Sequence, residues 1–169
     1  MMQVQIQSLN SNHNRKDFDC GSAELNRWLA AMAGQQAAKF MAKTFVAVDP
    51  TLPNTILGFY ALAVSELDKA SFPPQLKQYP QRVPVARLGR FAVSKSLQGQ
   101  GLGELLLFNA LERIAKVAHE IAMAAIVVDA KNAKAAAFYA KYGFLPTPDK
   151  PLQLVLPMKT ISKLFQLRD

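Results

Sequence analysis

Residues 87–107 read RLGRFAVSKSLQGQGLGELLL. The stretch predicts a strand over residues 84–93, a tight turn over 99–103, and a long helix opened by that turn. Leu107, Leu111, Ile114 and Ala118 recur at helical spacing and form its apolar stripe. Glycine admits positive φ and lets a ligand approach the backbone closely. A helix start adds unpaired N–H groups and the positive end of the dipole, which together suit a pyrophosphate. Glycines alone fit an ordinary tight turn equally well. Two other phosphate motifs are excluded. No Lys-Ser/Thr pair follows the last glycine, so this is not a Walker A loop. Leu106 stands where a dinucleotide-binding GxGxxG turn needs its third glycine.

Working outward, residues 3–9 alternate polar and apolar side chains and predict an opening strand. Residues 10–21 form a polar loop. Ser22 is placed to cap a helix, with Glu24 in its first turn. Leu25, Trp28, Leu29 and Met32 continue that helix toward Lys39, with a break expected near Gly34. Strands are predicted at 44–48 and 57–64, joined by a turn at 49–55, which suggests an antiparallel pair. Residues 71–84 hold four prolines and form a connection. Beyond the long helix, residues 124–128 predict a short strand buried on both faces. Asn132 caps a helix through Tyr142, and Gly143 ends it. A last strand spans 152–156, followed by an amphipathic turn with Ile161, Leu164 and Phe165. The order is β–α, an antiparallel run, then β–α–β–α–β, which gives a mixed α/β fold.

The chain has 169 residues, which suits one domain over 1–169. Half of them are apolar and 19% are charged, a globular balance. No run approaches the roughly 20 apolar residues of a membrane helix. Residues 1–9 lack the basic and apolar regions of a secretory signal. The single cysteine, Cys20, allows no internal disulfide and no metal cluster. A reducing, cytoplasmic setting and no bound metal are therefore expected. The formal net charge is +8. Lys69, Lys77, Arg82, Arg87, Arg90 and Lys95 lie in one span that contains no Asp or Glu. Such a segment is either a solvated face or a surface for an anionic partner.

Gln98, Gly101 and Gly103 fit Q/R-x-x-G-x-G/A. Residues 129–144 read DAKNAKAAAFYAKYGF, an Asn-capped helix with an FYxxxGF ending. In these two motifs, and in the order of its elements, the chain resembles the GNAT superfamily of N-acetyltransferases. That resemblance implies a mostly antiparallel sheet flanked by helices, with acetyl-CoA as the acetyl donor. It implies that Phe91, Ala92 and Val93 present backbone groups to the pantetheine arm. It implies that Gln98, Gly99, Gln100, Gly101, Leu102, Gly103 and Glu104 cradle the pyrophosphate. Asn132, Phe138, Tyr139 and Lys141 are implied near the thiol end or the far side of the cofactor. For Phe138 and Phe144, core packing is the simpler reading.

Three further stretches narrow the resemblance: FDCGSAELNRWL (18–29), ILGFYALAVSEL (56–67) and VPVARLGRFAV (83–93). They look like the toxin branch of the superfamily. This implies aminoacyl-tRNA as the acceptor, a ribbon-helix-helix antitoxin as partner, and the option of a homodimer. Arg82, Arg87, Arg90 and Lys95 are then the expected RNA contacts, since Lys and Arg contacts to phosphate dominate nucleic-acid affinity. Arg87 and Arg90 differ by an odd number and face opposite sides of a regular strand. Two alternatives stay open: acetylation of a small amine or protein N-terminus, and a binding module without catalysis.

Acetyl transfer needs a neutral amine, a polarised carbonyl and a proton for the leaving sulfur. His13 in its polar loop and His119 at a helix end are poor candidates. Glu66 and Asp68 end a strand and can take a proton through water, although an exposed strand end explains them as well. A backbone N–H between Phe91 and Val93 can polarise the carbonyl. Two aromatic neighbours, Tyr139 and Tyr142, can both be core. The family's FY pair, matched by Phe138 and Tyr139, makes Tyr139 the expected general acid.

Overall fold

The computed structural model describes residues 3–76 and 79–165. Lys77, one of the six cations of the basic segment, lies outside them. Seven strands follow the order β1-β2-β3-β4-β5-β7-β6. The chain divides into two compact units, Met1–Ala63 with Arg90–Ala110, and Val64–Gly89 with Leu111–Asp169.

In the first unit, β1 (Gln5–Ser8) pairs antiparallel with β2 (Lys43–Val48). Strand β2 pairs antiparallel with β3 (Gly58–Asp68), in the register Lys43↔Leu62 to Ala47↔Gly58. Ser22 caps α1 (Ala23–Arg27), its Oγ accepting the Leu25 N–H at 3.3 Å, and Glu24 sits in the first turn. The helix is not broken at Gly34 as its sequence suggests. The irregularity falls at Trp28–Met32, a π-helical segment, and the chain returns to α-geometry in α2 (Ala33–Ala38). The wider π turn keeps Leu29 and Ala33 both fully buried. They pack with Phe18, Cys20, Val46, Val48, Ile56, Phe59 and Ala92 in one core.

Strand β4 (Arg82–Val93) starts two residues before the expected position, and α3 (Leu102–Val117) follows the glycine turn. Leu107, Leu111 and Ile114 are buried, as the apolar stripe requires. In the second unit, β5 (Ala125–Asp129) runs parallel to β4, with Val85↔Ala125 to Leu88↔Val128 in register. That pairing is the parallel crossover; the remaining described pairings are antiparallel. Ala125 to Val128 are fully buried, so the strand tolerates no polar face.

Helix α4 (Ala133–Lys141) begins at Asn132, whose Oδ1 accepts the Ala135 N–H at 2.9 Å. It ends in a glycine Schellman motif. The Gly143 N–H bonds Ala140 O at 3.0 Å, the Phe144 N–H bonds Tyr139 O at 3.4 Å, and Gly143 has φ +97°. A short strand that sequence reading missed, β6 (Leu145–Thr147), pairs with β7 (Lys150–Pro157). Three residues are too few to show a period. Helix α5 (Met158–Phe165) buries Met158 and Ile161, while Leu164 stays exposed. The fold is mixed α/β with a mostly antiparallel sheet.

Candidate active site

The glycine turn differs from its sequence reading in one respect. Gly99 and Gly101 take φ of +79° and +88°, but Gly103 is already inside α3. Only two glycines therefore meet a left-handed requirement. A Cβ at Gly99 or Gly101 would meet nothing within 4 Å, so backbone conformation, not crowding, demands glycine there. The first intrahelical bond at this end runs from the Leu105 N–H to Gly101 O at 3.2 Å. The N–H groups of Leu102 and Gly103 precede it and stand where a helix start offers donors to an anion. Glu104 occupies the first helical turn, Leu102 is buried, and Gln100 donates from Nε2 to Ser96 O at 3.2 Å.

Gln98 works differently from a ligand-facing side chain. Its Nε2 donates to Cys20 O at 3.0 Å and to Val93 O at 2.9 Å. The amide thus ties the turn to the end of β4 and to the loop before α1. Nothing in the sequence pairs residues 20 and 98, so this role is visible only in the fold. One acceptor site of the Val93 carbonyl is also used by this bond. Ala92 is buried in the first unit's core, and Phe91 is half-buried beside it in sequence.

In the second unit, Tyr139 is 4% exposed and lies in an aromatic cluster. Its ring sits edge-on to Phe138 at 5.4 Å and to Phe144 at 5.6 Å. Phe138 also meets Tyr142 edge-on at 5.3 Å. Burial, and then the negative charge of Asp129, push the Tyr139 phenol well above its ordinary value. The phenol therefore holds its proton throughout the neutral range. Asp129, which the sequence marks only as a strand end, accepts from Arg87 Nη1 at 2.6 Å. The same guanidinium donates from Nε to Ser65 Oγ at 3.3 Å. Asn132 uses its side-chain oxygen for the helix cap, and Lys141 Nζ lies 5.5 Å from the Tyr142 ring centroid.

The basic segment is less uniform than the sequence suggests. Arg82 pairs with Glu66 at 3.2 Å, Arg87 with Asp129, and Lys95 with Asp19 at 3.4 Å. Arg90 places its guanidinium 5.3 Å from the Trp28 ring centroid, and Trp28 stacks on Phe59. The acids come from outside the acid-free span, so the charge excess is partly matched. Exposed pairs such as Arg82–Glu66 contribute little to stability.

The discounted proton carriers have structural roles. Glu66 is engaged by Arg82, and Asp68 Oδ1 accepts the Ala70 N–H and Gln81 Nε2. His13 is buried, not solvated: its Nδ1 accepts the Asn10 N–H at 3.0 Å, which leaves Nε2–H to donate to Gln7 Oε1 at 3.1 Å. Burial, with Arg15 nearby, holds it below the usual histidine range and neutral. His119 is exposed beyond the end of α3.

A model of the acetyltransferase (GNAT) domain matches residues 41–146. A tRNA-acetylating toxin of Mycobacterium tuberculosis (strain ATCC 25618 / H37Rv) is 35% identical over 149 residues, covering 88% of each chain. The structure of AtaT complexed with acetyl-methionyl-tRNAfMet superposes with a TM-score of 0.89 at 29% identity, over 96% of this chain and 99% of that one. A tyrosine-to-phenylalanine mutant of AtaT, bound to the C-terminus of the antitoxin AtaR and acetyl-CoA, gives 0.83 at 27% identity, over 97% and 99%. With its domain match spanning more than half of the sequence, this chain belongs to the GNAT acetyltransferase family.

Proposed function

We propose that the whole chain, 1–169, acts as one catalytic domain that acetylates the α-amino group of aminoacyl-tRNA and thereby blocks translation. The observation that carries this reading is the likeness, over 96% of the chain, to a toxin solved with an acetylated aminoacyl-tRNA. The open backbone at Gly99 and Gly101, followed by the start of α3, fits the pyrophosphate of acetyl-CoA. That cofactor supplies the activated acetyl thioester. Leu102 and Gly103 N–H groups bind its phosphates, and Gln98 holds the turn in shape. Backbone groups of Phe91, Ala92 and Val93 line the pantetheine arm and polarise the carbonyl. Asn132, Phe138 and Lys141 support the cofactor through helix α4. Tyr139 Oη delivers its proton to the leaving sulfur.

A tyrosine-to-phenylalanine form of AtaT solved with antitoxin and acetyl-CoA supports a central tyrosine in such enzymes. It also supports an antitoxin partner, which we take to be of ribbon-helix-helix type with an acidic tail. A homodimer and a cytoplasmic setting complete the reading; no helix among the described residues is long and apolar enough to cross a membrane.

Expression of the chain in bacteria tests the proposal. Growth should arrest, acetylated aminoacyl-tRNA should accumulate, and co-expression of the neighbouring antitoxin frame should restore growth. Harmless expression with no acetylated tRNA would reject the toxin reading and favour a small-amine or protein acceptor.

A further inference from the structure

Two Schellman motifs among the described residues are built from opposite kinds of residue. At the end of α4, glycine takes the left-handed position and the next residue, Phe144, turns back onto Tyr139 and is buried. That is the arrangement local stability favours. At the end of α2 the same bonds form: the Phe40 N–H to Ala37 O at 3.1 Å and the Met41 N–H to Gln36 O at 2.8 Å. Here the left-handed residue is Phe40, at φ +57°, among the described residues the one non-glycine with positive φ. Its side chain is 93% exposed, and Met41, which would normally fold back, is 61% exposed. Neither residue belongs to the buried core, and the left-handed backbone at Phe40 carries an outward ring where glycine would be free of strain. Strain of this kind points to a use outside the fold.

The surroundings say what the ring meets. Lys39 and Lys43 flank it in sequence, both exposed and neither with an acidic partner among the described residues. No Asp or Glu occurs between Glu24 and Asp49. This contrasts with Arg82, Arg87 and Lys95, whose charges are matched. An outward aromatic ring between two unpaired cations suits a flat base whose neighbouring phosphates are negative. A stripe of apolar residues for a protein partner would instead present a broader apolar face without the flanking cations.

We propose that Phe40 is a stacking platform for an unpaired base of the RNA acceptor, with Lys39 and Lys43 holding the phosphates on either side. The proposal rests on aminoacyl-tRNA being the acceptor. It adds a contact outside the glycine turn and the Tyr139 cluster, with a preference for single-stranded over duplex RNA.

The test measures Kd of the full chain for a fluorescent single-stranded RNA oligonucleotide, for the same sequence as a duplex, and for acetyl-CoA. Phe40→Gly keeps the left-handed backbone and removes the ring, so it should fold and melt at a higher temperature. It should raise Kd for the single strand about 5- to 150-fold, the range for loss of one stacked base. Phe40→Trp should retain tight binding, acetyl-CoA affinity should be unchanged in both, and duplex binding should change little. Lys39→Gln with Lys43→Gln should lower the salt dependence of single-strand binding. An unchanged Kd in Phe40→Gly, while the wild type still acetylates charged tRNA, would overturn the platform and leave the acceptor assignment standing. Loss of antitoxin binding in Phe40→Gly with RNA binding intact would overturn it in favour of a protein-docking role. A wild type that neither binds single-stranded RNA nor acetylates charged tRNA would overturn both.

Discussion

At the scale of single residues, the proposed chemistry turns on one buried hydroxyl. Tyr139 is held by rings on its own helix and by Phe144, and burial with the Asp129 charge keeps it protonated. A raised value makes the phenol a reluctant acid and its phenolate a stronger base than a thiolate, so the proton must move as the C–S bond breaks, and the phenolate then regains a proton from solvent. Arg87 pairs with the same Asp129 carboxylate at 2.6 Å. Tyr139→Phe removes one oxygen and leaves the ring contacts in place. Turnover should fall roughly 10²–10⁴-fold, the usual range for a positioned acid, with acetyl-CoA affinity and melting temperature nearly unchanged. Tyr142→Phe should do much less, because Tyr142 closes the helix end and packs on Phe138. Steady-state rates for the two variants decide it; equal rates would pass the proton to another group. The burial of Tyr139 among rings agrees with the aromatic run of its helix, whereas the pairing of Arg87 with Asp129 was not legible, since the two lie 42 residues apart in sequence.

At the scale of elements, the strand, turn and helix of residues 87–107 were legible because each carries its own local signal. The caps at Ser22 and Asn132 were legible for the same reason, as short-range bonds between side chain and backbone. The π segment at Trp28–Met32 was not. Its cause is the need to bury Leu29 and Ala33 against strands from elsewhere, and helical periodicity does not register it. The turn itself makes a clear prediction. Gly101→Asp adds a strained side chain at φ +88° and a negative charge where the pyrophosphate is proposed to bind. A unit charge at about 4 Å in a partly screened site changes affinity by roughly a thousandfold. Calorimetry should therefore show acetyl-CoA binding lost in a folded variant. Gly101→Ala carries the strain without the charge and should lose less. Retained affinity in Gly101→Asp would move the pyrophosphate away from this turn.

At the scale of the whole molecule, composition pointed to a basic surface, and the fold redistributes it. Glu66, Asp129 and Asp19 come from outside the acid-free span to meet Arg82, Arg87 and Lys95. Net charge is a sum over the sequence; pairing is a property of the fold, so a charge count cannot show it. Among the described residues, Lys39 and Lys43 have no acidic partner and lie next in sequence to an outward ring, at the end of a helix whose periodic pattern registers only packing. The mixed α/β architecture follows from element order, while its parallel step between β4 and β5 depends on α3 crossing between them. The proposed reaction is transfer of an acetyl group to the α-amino group of aminoacyl-tRNA. Purified protein incubated with radiolabelled acetyl-CoA and total charged tRNA, followed by mild alkaline release of the amino acids, tests it most directly. Label should be recovered as N-acetyl amino acid, with none on deacylated tRNA. Label on free amines or protein alone, with charged tRNA unmodified, would contradict it.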